Sequence, residues 1–217
     1  EVQTERELFV KNADAQLPLA SLTKTVTALT ASQYLSMDEY VSVTRESLSV
    51  EGESGLVLGE EWLVRDLIDF TLIESSNDGA HLLAESAASK QGENTEWFYE
   101  RMNEVATQSG ATQMYFINDS GLDVSSSTAG AYGSARDVAL LLAHATLESS
   151  EVLGGSSSSS KTFVTRDGAA HTAHNTSGVP SMISGARISK TGYTDLAGGN
   201  LGVVFDAIPG RPVVAVV

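Results

Sequence analysis

Residues 21–24 read Ser-Leu-Thr-Lys, and an apolar-periodic run follows them. The pattern predicts a well-buried helix over about residues 21–36, with Ser21 in its first turn. Because side chains three residues apart project from one helix face, the amine of Lys24 is expected beside the Ser21 hydroxyl. A desolvated lysine of lowered pKa can take the proton of a serine, so the pair is a nucleophile with a neighbouring base. The Ser21 N–H, unpaired at a helix N-terminus, is suited to bind an oxyanion.

The composition sets limits on size and partners. The chain has 217 residues, 41% of them hydrophobic, enough for one domain with a substantial core. Its formal net charge is -15 with only 13 basic residues, which excludes nucleic acid as a partner because phosphate binding requires clustered Lys and Arg. The absence of cysteine leaves the redox compartment open. Glycine-rich nucleotide-binding motifs are missing from the sequence, and no cofactor is expected.

The order of predicted elements indicates the architecture. The sequence predicts a short strand at Glu7–Val10, a mostly helical middle, and closing strands at residues 162–164, 186–189, 201–205 and 213–217. This order favours a sheet assembled from both ends of the chain, with a helical lobe inserted. We therefore expect a single domain over residues 1–217. Its sheet subdomain would comprise roughly residues 1–20 plus 160–217, and its mainly helical subdomain roughly residues 21–150.

A serine-rich segment separates the helical middle from the closing strands. Gly154 and Gly155 precede five consecutive serines, a composition typical of a flexible surface loop. Ser158 and Lys161 repeat the S-x-x-K spacing there. No apolar periodicity surrounds them, so no helix is expected to hold the two side chains together. The sequence therefore favours Ser21 over Ser158 as the nucleophile.

Three motifs follow one another along the chain: Ser21-x-x-Lys24, Ser75-Ser76-Asn77 and Lys190-Thr191-Gly192. Each is weak alone, but the ordered trio is typical of penicillin-binding proteins and serine β-lactamases, in which the second element is written S-D-N. The chain resembles the D-alanyl-D-alanine carboxypeptidases, the low-molecular-mass penicillin-binding proteins, over about residues 8–217. The resemblance also includes Ala20-Ser21, Ser75-Ser76-Asn77-Asp78, Gly121-Leu122-Asp123, Ser134-Ala135-Arg136-Asp137 and Lys190-Thr191-Gly192-Tyr193-Thr194-Asp195-x-Ala197-Gly198.

The resemblance implies a fold and an activity. The expected fold class is α/β (α+β), β-lactamase/transpeptidase-like: an antiparallel sheet flanked by helices, with an inserted mainly helical subdomain and the active site in the cleft between them. The implied enzyme is a serine D-alanyl-D-alanine carboxypeptidase that trims the terminal D-alanine from peptidoglycan stem peptides. Its partners would be a stem peptide ending in D-Ala-D-Ala and, as inhibitors, β-lactam antibiotics such as penicillins.

The family pattern also implies the catalytic roles. Ser21 would attack the carbonyl of the penultimate D-alanine and carry the acyl group, with Lys24 as its base. A second cation, Lys190, would help to keep Lys24 neutral. Ser75 would relay a proton to the departing amine, a task suited to a hydroxyl that both donates and accepts. The backbone N–H groups of Ser21 and Tyr193 would form the oxyanion hole.

The substrate-binding roles are implied in the same way. Asn77 would hold the backbone amide of the substrate, Lys190 and Thr191 would bind its terminal carboxylate, and Gly192 would leave room for it along the strand edge. Without the other motifs, Ser75 and Asn77 also fit helix capping, and Lys190 fits a solvated strand edge. Asn175 resembles a family position near the cleft, and a turn role fits it as well.

Two other functions remain open. A serine β-lactamase shares the trio but, in one large class, needs a glutamate that activates water. Glu100, Glu104 and Glu148 lie in no recognisable motif for that task, so they are predicted to be surface charges. A catalytically idle peptidoglycan-binding homologue would also retain the cleft. Endopeptidase and carboxypeptidase activities use the same trio, and the sequence leaves that choice open.

Histidines and chain ends complete the sequence-based expectations. His171 and His174 have no recognisable partner ligand, so a solvated position is predicted and no metal is expected. Extracytoplasmic localisation follows from the resemblance, on the periplasmic or cell-wall side of the membrane. Residues 1–5 lack the pattern of a signal peptide, and no apolar run is long enough to span a bilayer. Membrane association is therefore expected only through segments absent from this chain, since many family members carry a further β-rich domain and an amphipathic anchor. The family usually has an additional strand before the position of Ser21 as well.

Overall fold

The computed structural model describes all 217 residues as an α+β structure. The helices are α1 (Thr23–Tyr34), α2 (Val64–Glu74), α3 (Asn77–Gln91), α4 (Thr95–Gln108), α5 (Ala135–Glu148), α6 (Ser150–Leu153) and α7 (Val179–Met182). The strands are β1 (Leu17–Pro18), β2 (Tyr40–Ser42), β3 (Glu61–Leu63), β4 (Tyr115–Phe116), β5 (Ala131–Gly133), β6 (Ser160–Val164), β7 (Ala170–His174), β8 (Ala186–Thr194), β9 (Gly198–Ile208) and β10 (Arg211–Val216). None of the helices combines the length and the apolar character that crossing a bilayer requires.

Helix α1 lies at the centre of the helical region. All of its residues from Thr23 to Ala31 are buried, and it packs against α2, α3, α4 and α6. Its alanines and threonines are short enough for these neighbours to approach on every side. The hydroxyls of Thr23, Thr25 and Thr27 donate to backbone carbonyls, as Thr25 Oγ1 does to the Leu22 carbonyl at 2.7 Å, whereas the buried Thr30 hydroxyl has no partner. Lys24 is the only charged residue of this buried helix, so its position requires an explanation.

The main sheet comes entirely from the C-terminal part of the chain. Strands β10, β9 and β8 pair antiparallel in that order, and α5 packs against β9 and β10. Strand β8 is an edge strand, and it lies against the short 3₁₀ turn Ala20–Leu22 that precedes α1. The edge of the sheet therefore meets the start of the central helix, at the place where the sequence predicts the cleft.

The predicted opening strand at Glu7–Val10 is wrong. These residues form no strand, and Leu8 and Phe9 are 60% and 84% exposed. The strand that does precede Ser21, β1, pairs with β5 in a separate small sheet. The N-terminal residues make only one backbone hydrogen bond to the main sheet, from Val2 N to Pro212 O of β10 at 3.0 Å. A strand needs a run of paired backbone groups, so the prediction of a sheet built from both ends is also wrong.

The serine-rich segment is ordered rather than a flexible loop. Gly154–Ser157 forms a 3₁₀ turn, and Ser156 is 1% exposed. The Ser156 hydroxyl donates to the Leu153 carbonyl at 2.6 Å and accepts from the Ser189 N–H at 3.2 Å. Serine hydroxyls can thus replace water as partners of buried backbone groups, which composition alone does not reveal.

The hairpin of β6 and β7 packs against α2 and encloses an aromatic cluster. Trp62, Phe70 and Phe163 lie with ring centroids 4.9–6.0 Å apart. His171 joins them, and its Nε2 lies 2.8 Å from Glu60 Oε1. The side chain of His171 is only 12% exposed, so the prediction of a solvated position is wrong for this histidine. Its partner carboxylate explains why a polar ring is tolerated there.

Candidate active site

Ser21 lies in the 3₁₀ turn immediately before α1, and Lys24 follows it in the first turn of the helix. Lys24 Nζ is 2.8 Å from Ser21 Oγ, so a neutral amine can accept the hydroxyl proton directly. The first hydrogen bond of the turn is donated by Leu22 N to Leu19 O, and the next by Thr23 N to Ala20 O, which leaves the Ser21 N–H ahead of the helical ladder. The predicted contact between the Ser21 hydroxyl and the Lys24 amine is therefore present in the structure, while their roles as nucleophile and base stay predictions.

Lys24 is held in a setting that favours its neutral form. Its side chain is completely buried, and its Nζ also donates to the Ser120 carbonyl at 2.8 Å. No carboxylate lies within ion-pair distance of it. Burial, and next the charge of Lys190, lower the pKa of Lys24 well below its ordinary value, while Asp119 opposes them. A lysine of this kind can act as a base near neutral pH.

Lys190 is the second buried lysine of the cleft. It lies on β8, is 1% exposed, and its Nζ donates to Ser75 Oγ at 2.8 Å and to the Thr191 carbonyl at 3.0 Å. Burial lowers the pKa of Lys190 to about 7. Like Lys24, it has no carboxylate partner within the chain. An incoming carboxylate would supply the missing counter-charge, so the site is suited to an anionic ligand.

The turn between α2 and α3 separates the roles of its two serines. Ser75 ends α2 in the left-handed region (φ 63°), a conformation that a non-glycine residue adopts at some cost. Ser76 is the residue that caps α3, since its Oγ accepts the Gly79 N–H at 2.8 Å. Capping therefore does not explain Ser75, whose hydroxyl points to Lys190. The strained backbone places that hydroxyl in the cleft.

Asn77 is less directly connected to the cleft. Its side-chain amide donates to the Glu51 carbonyl at 2.7 Å, and no hydrogen bond joins it to Ser21, Lys24 or Lys190. A Cβ at Gly52 would lie 2.8 Å from the same amide nitrogen, so the glycine allows this approach. The structure thus explains how Asn77 is oriented. Its contact with a substrate remains a prediction.

The residues after Lys190 line the edge of β8. Thr191 Oγ1 is 2.6 Å from Thr176 Oγ1, and the Thr191 carbonyl accepts a hydrogen bond from Lys190 Nζ at 3.0 Å. A Cβ at Gly192 would lie 2.9 Å from Ser21 N and 3.0 Å from Leu19 O, so this glycine lets β8 approach the turn of the nucleophile. Tyr193 pairs with Gly199 of β9, and its side chain is 73% exposed.

Sequence reasoning missed several residues that shape the cleft. Ser120 contacts Lys24 through its backbone carbonyl, and Thr176 contacts Thr191 through its hydroxyl. Neither interaction corresponds to a sequence motif. Ala20 adopts a positive φ of 46°, and the Gly121 backbone packs so closely on its carbonyl that a Cβ there would lie 1.9 Å from it. The family resemblance includes Gly121-Leu122-Asp123. It does not predict that Gly121 packs against the turn that carries Ser21.

The remaining candidates have structural explanations. The Asn175 amide donates to the Ser156 and Ser158 carbonyls at 2.7 Å and 2.8 Å, which fits a turn role. Lys161 pairs with Asp69 at 2.6 Å and makes no hydrogen bond to Ser158. Glu100, Glu104 and Glu148 are exposed, as predicted for surface charges. No cluster of three or more His, Cys, Asp or Glu side chains suited to a metal ion is found.

Replacing Lys190 by methionine is expected to raise the melting temperature and to make the gain depend on pH. The unfolded lysine has a pKa of about 10.4, while the folded pKa is about 7. The folded state therefore binds fewer protons, and the penalty is complete below pH 7 and fades as the pH rises towards about 10. Lys190→Met should thus melt about 5 °C or more above the wild type at pH 6, with a smaller gain at pH 9.

Thermal unfolding of both proteins between pH 5 and pH 10 measures this difference. Lys90→Met is the matched control, because Lys90 is 44% exposed and pairs with Glu39 on the surface. It should show no such gain. A Lys190→Met difference that is constant with pH, or that grows as the pH rises, would contradict the buried, unpaired state of this lysine.

The fold is shared with a solved transpeptidase. The crystal structure of the Streptomyces K15 DD-transpeptidase superposes with a TM-score of 0.84 and 24% sequence identity, covering 100% of this chain and 86% of that one. At this identity the similarity concerns the fold alone. It confirms the predicted transpeptidase-like fold class, in which an antiparallel sheet is combined with a mainly helical region.

Curated relatives and a family model connect the sequence to a family. Over 147 residues, 65% of this chain, it is 30% identical to the D-alanyl-D-alanine carboxypeptidase DacF of Bacillus subtilis (strain 168). Over 142 residues, 60% of this chain, it is 34% identical to the D-alanyl-D-alanine carboxypeptidase DacC of Escherichia coli (strain K12). These matches span 36% and 34% of the two relatives, about a third of their length. The family model for D-alanyl-D-alanine carboxypeptidases matches residues 1–217, and the chain therefore belongs to this peptidase family.

Proposed function

We propose that this chain is the catalytic domain of a serine D-alanyl-D-alanine carboxypeptidase that works through an acyl-enzyme on Ser21. One observation carries the proposal: the hydroxyl of Ser21 lies 2.8 Å from the amine of a completely buried lysine that has no carboxylate partner. A surface Ser-Lys pair would leave the lysine protonated and unable to act as a base. In this cleft, burial and the neighbouring Lys190 favour the neutral amine.

Acylation follows from the positions of these groups. Ser21 Oγ attacks the carbonyl carbon of the penultimate D-alanine while its proton passes to Lys24 Nζ. The Ser21 and Tyr193 N–H groups stabilise the negative charge that develops on the carbonyl oxygen. When the peptide C–N bond breaks, Lys24 gives up this proton, which reaches the amine of the leaving D-alanine through the Ser75 hydroxyl, itself hydrogen-bonded to Lys190. Lys24 is then neutral again. The product is an ester between Ser21 and the shortened stem peptide.

Deacylation uses the same groups in reverse. A water molecule attacks the ester carbonyl, and Lys24 accepts its proton as it did that of Ser21. The ester C–O bond breaks and Ser21 Oγ recovers a proton, which restores the free enzyme. Penicillins would form the same ester by opening of their lactam ring, so they are proposed as inhibitors. The substrate is a component of the cell wall, and we therefore place the enzyme outside the cytoplasm.

Recognition of the C-terminal carboxylate explains the exopeptidase specificity. Lys190 offers an ammonium without a counter-ion, and the adjacent residue Thr191 offers a hydroxyl that lies 2.6 Å from that of Thr176. A carboxylate bound there would stabilise the protonated form of Lys190. Asn77 would hold the peptide backbone farther along the cleft. This arrangement favours a substrate that ends at the residue after the scissile bond.

The experiment is release of free D-alanine from a synthetic stem pentapeptide, compared with the same peptide carrying a C-terminal carboxamide. We expect kcat/KM to be at least about tenfold lower for the amide, because a charged hydrogen-bonded partner is lost. For the acid, kcat/KM should fall as the pH rises above about 7, because the free enzyme then loses the proton of Lys190.

Equal use of the amide and the acid would contradict this carboxylate site. Cleavage of cross-linked peptides only, without release of free D-alanine, would indicate an endopeptidase instead. Rapid, repeated hydrolysis of penicillin without D-alanine release would indicate a β-lactamase, and binding of stem peptide without any turnover an idle homologue.

A further inference from the structure

A cluster of three polar side chains lies behind Lys24 and has no role in the steps above. Asp119 is at its centre, with a side chain only 2% exposed. Its Oδ2 lies 2.8 Å from His81 Nδ1 and accepts a hydrogen bond from the Tyr99 hydroxyl at 3.2 Å. His81 comes from α3 and Tyr99 from α4, so two helices converge on one buried carboxylate. Buried carboxylates with such partners are costly to build and require an explanation.

The backbone of this cluster is fixed to the catalytic helix. The Asp119 carbonyl accepts a hydrogen bond from Thr27 Oγ1 at 2.6 Å, and the next carbonyl, that of Ser120, accepts one from Lys24 Nζ at 2.8 Å. Thr27 and Lys24 are both on α1. The two carbonyls are thus held by α1 on one side, while the Asp119 carboxylate is held by α3 and α4 on the other. Any movement of that carboxylate would displace the carbonyl that orients the base.

The same cluster controls the charge that Lys24 faces. Asp119 raises the pKa of Lys24, in opposition to burial and to Lys190 on β8. The hydrogen bond and charge of Asp119 in turn raise the pKa of His81, against its burial, with smaller contributions from Glu85 and Glu46. A protonated His81 offsets the charge of Asp119, whereas a neutral ring leaves that charge to act on Lys24.

We propose that His81 and Tyr99 act through Asp119 as positioning residues for Lys24, holding the Ser120 carbonyl against its Nζ and setting the negative charge that it faces. This inference rests on the proposed role of Lys24 as the base. It assigns a function to His81, which no sequence motif singles out. It also explains why a histidine and a tyrosine are buried around an aspartate one residue from the carbonyl that binds the catalytic lysine.

The test is the pH profile of Ser21 acylation by a fluorescent penicillin between pH 5 and pH 9, for the wild type, Asp119→Asn and His81→Gln. The acid limb reports the deprotonation of Lys24. Asp119→Asn removes the charge that stabilises protonated Lys24, so the limb should move to lower pH. His81→Gln leaves Asp119 without its counter-charge, so the limb should move to higher pH. Each acylation rate is divided by the plateau rate of the same variant. At a pH on the acid limb, we expect this relative rate to be about threefold higher than wild type for Asp119→Asn and about threefold lower for His81→Gln.

His144→Gln is the matched control, since His144 is exposed on α5 and should keep the wild-type profile. If Asp119→Asn does not fold, the pH profile of His81→Gln still tests the inference, because its acid limb is expected only at higher pH. Lower rates with an unshifted limb, or shifts in the same direction, would overturn the inference while leaving the proposed function intact. Failure of the wild type to be acylated at Ser21 would instead overturn the proposed function itself.

Discussion

Ser21→Ala is expected to lower the release of D-alanine from the stem pentapeptide by about 10⁴-fold or more. The variant lacks the atom that forms the ester, and Lys24 then has no hydroxyl to deprotonate. Substrate affinity should change little, because the carboxylate site that we propose at Lys190 and Thr191 does not include the Ser21 hydroxyl. The measurement is the initial rate of D-alanine formation, together with the dissociation constant of the intact pentapeptide.

Ser158→Ala is the matched control for this prediction, because Ser158 and Lys161 repeat the same S-x-x-K spacing. Lys161 pairs with Asp69 and not with Ser158, so the control should keep wild-type activity. A Ser21→Ala protein that still releases D-alanine at a rate within tenfold of the wild type would show that another residue is the nucleophile.

Lys24→Met is expected to lower the rate of acylation by about 10²–10⁴-fold, the usual contribution of a general base. Methionine suits the test better than alanine. The lysine side chain is completely buried in the helical core, and alanine would leave a cavity there. Methionine fills most of that volume without an amine, so the variant should melt at or above the wild-type temperature, because a desolvated lysine is removed. Stopped-flow acylation with a fluorescent penicillin and a thermal melt provide the two readouts.

The surface variant Lys90→Met serves as the control and should acylate at the wild-type rate. Acylation of Lys24→Met at a wild-type rate would exclude Lys24 as the base. If Lys24→Met lost both its fold and its acylation, the Lys24 amine would be needed for structure. That result would contradict the expectation that a buried amine without a carboxylate partner does not stabilise the fold.

The sequence was sufficient to locate the main groups of the site because their positions follow from local rules. The helical period places Lys24 beside Ser21, and the structure has them 2.8 Å apart. The strand pattern around Lys190 predicts an extended segment, which is β8. Neither rule depends on distant contacts. That Lys190 and Ser75, 115 positions apart in sequence, belong to one site was expected from the family motifs and not from periodicity, and the hydrogen bond between them was not predicted.

Errors arose where distant parts of the chain decide the structure. Residues 7–10 have a strand-like composition, but no sheet edge pairs with them, and Phe9 stays exposed. The serine-rich segment is ordered because Ser156 meets backbone groups of two other segments. The left-handed backbone of Ser75 and the Asp119 cluster also depend on tertiary packing, which single-residue propensities do not encode.

The central claim is that Ser21 becomes acylated, and intact-protein mass spectrometry after incubation with a penicillin tests it most directly. We predict a mass increase of one penicillin per chain, mapped by peptide digestion to the segment that contains Ser21. The adduct should be absent from Ser21→Ala and unchanged in Ser158→Ala. An adduct that persists in Ser21→Ala, or one that maps to the segment containing Ser158, would contradict the account.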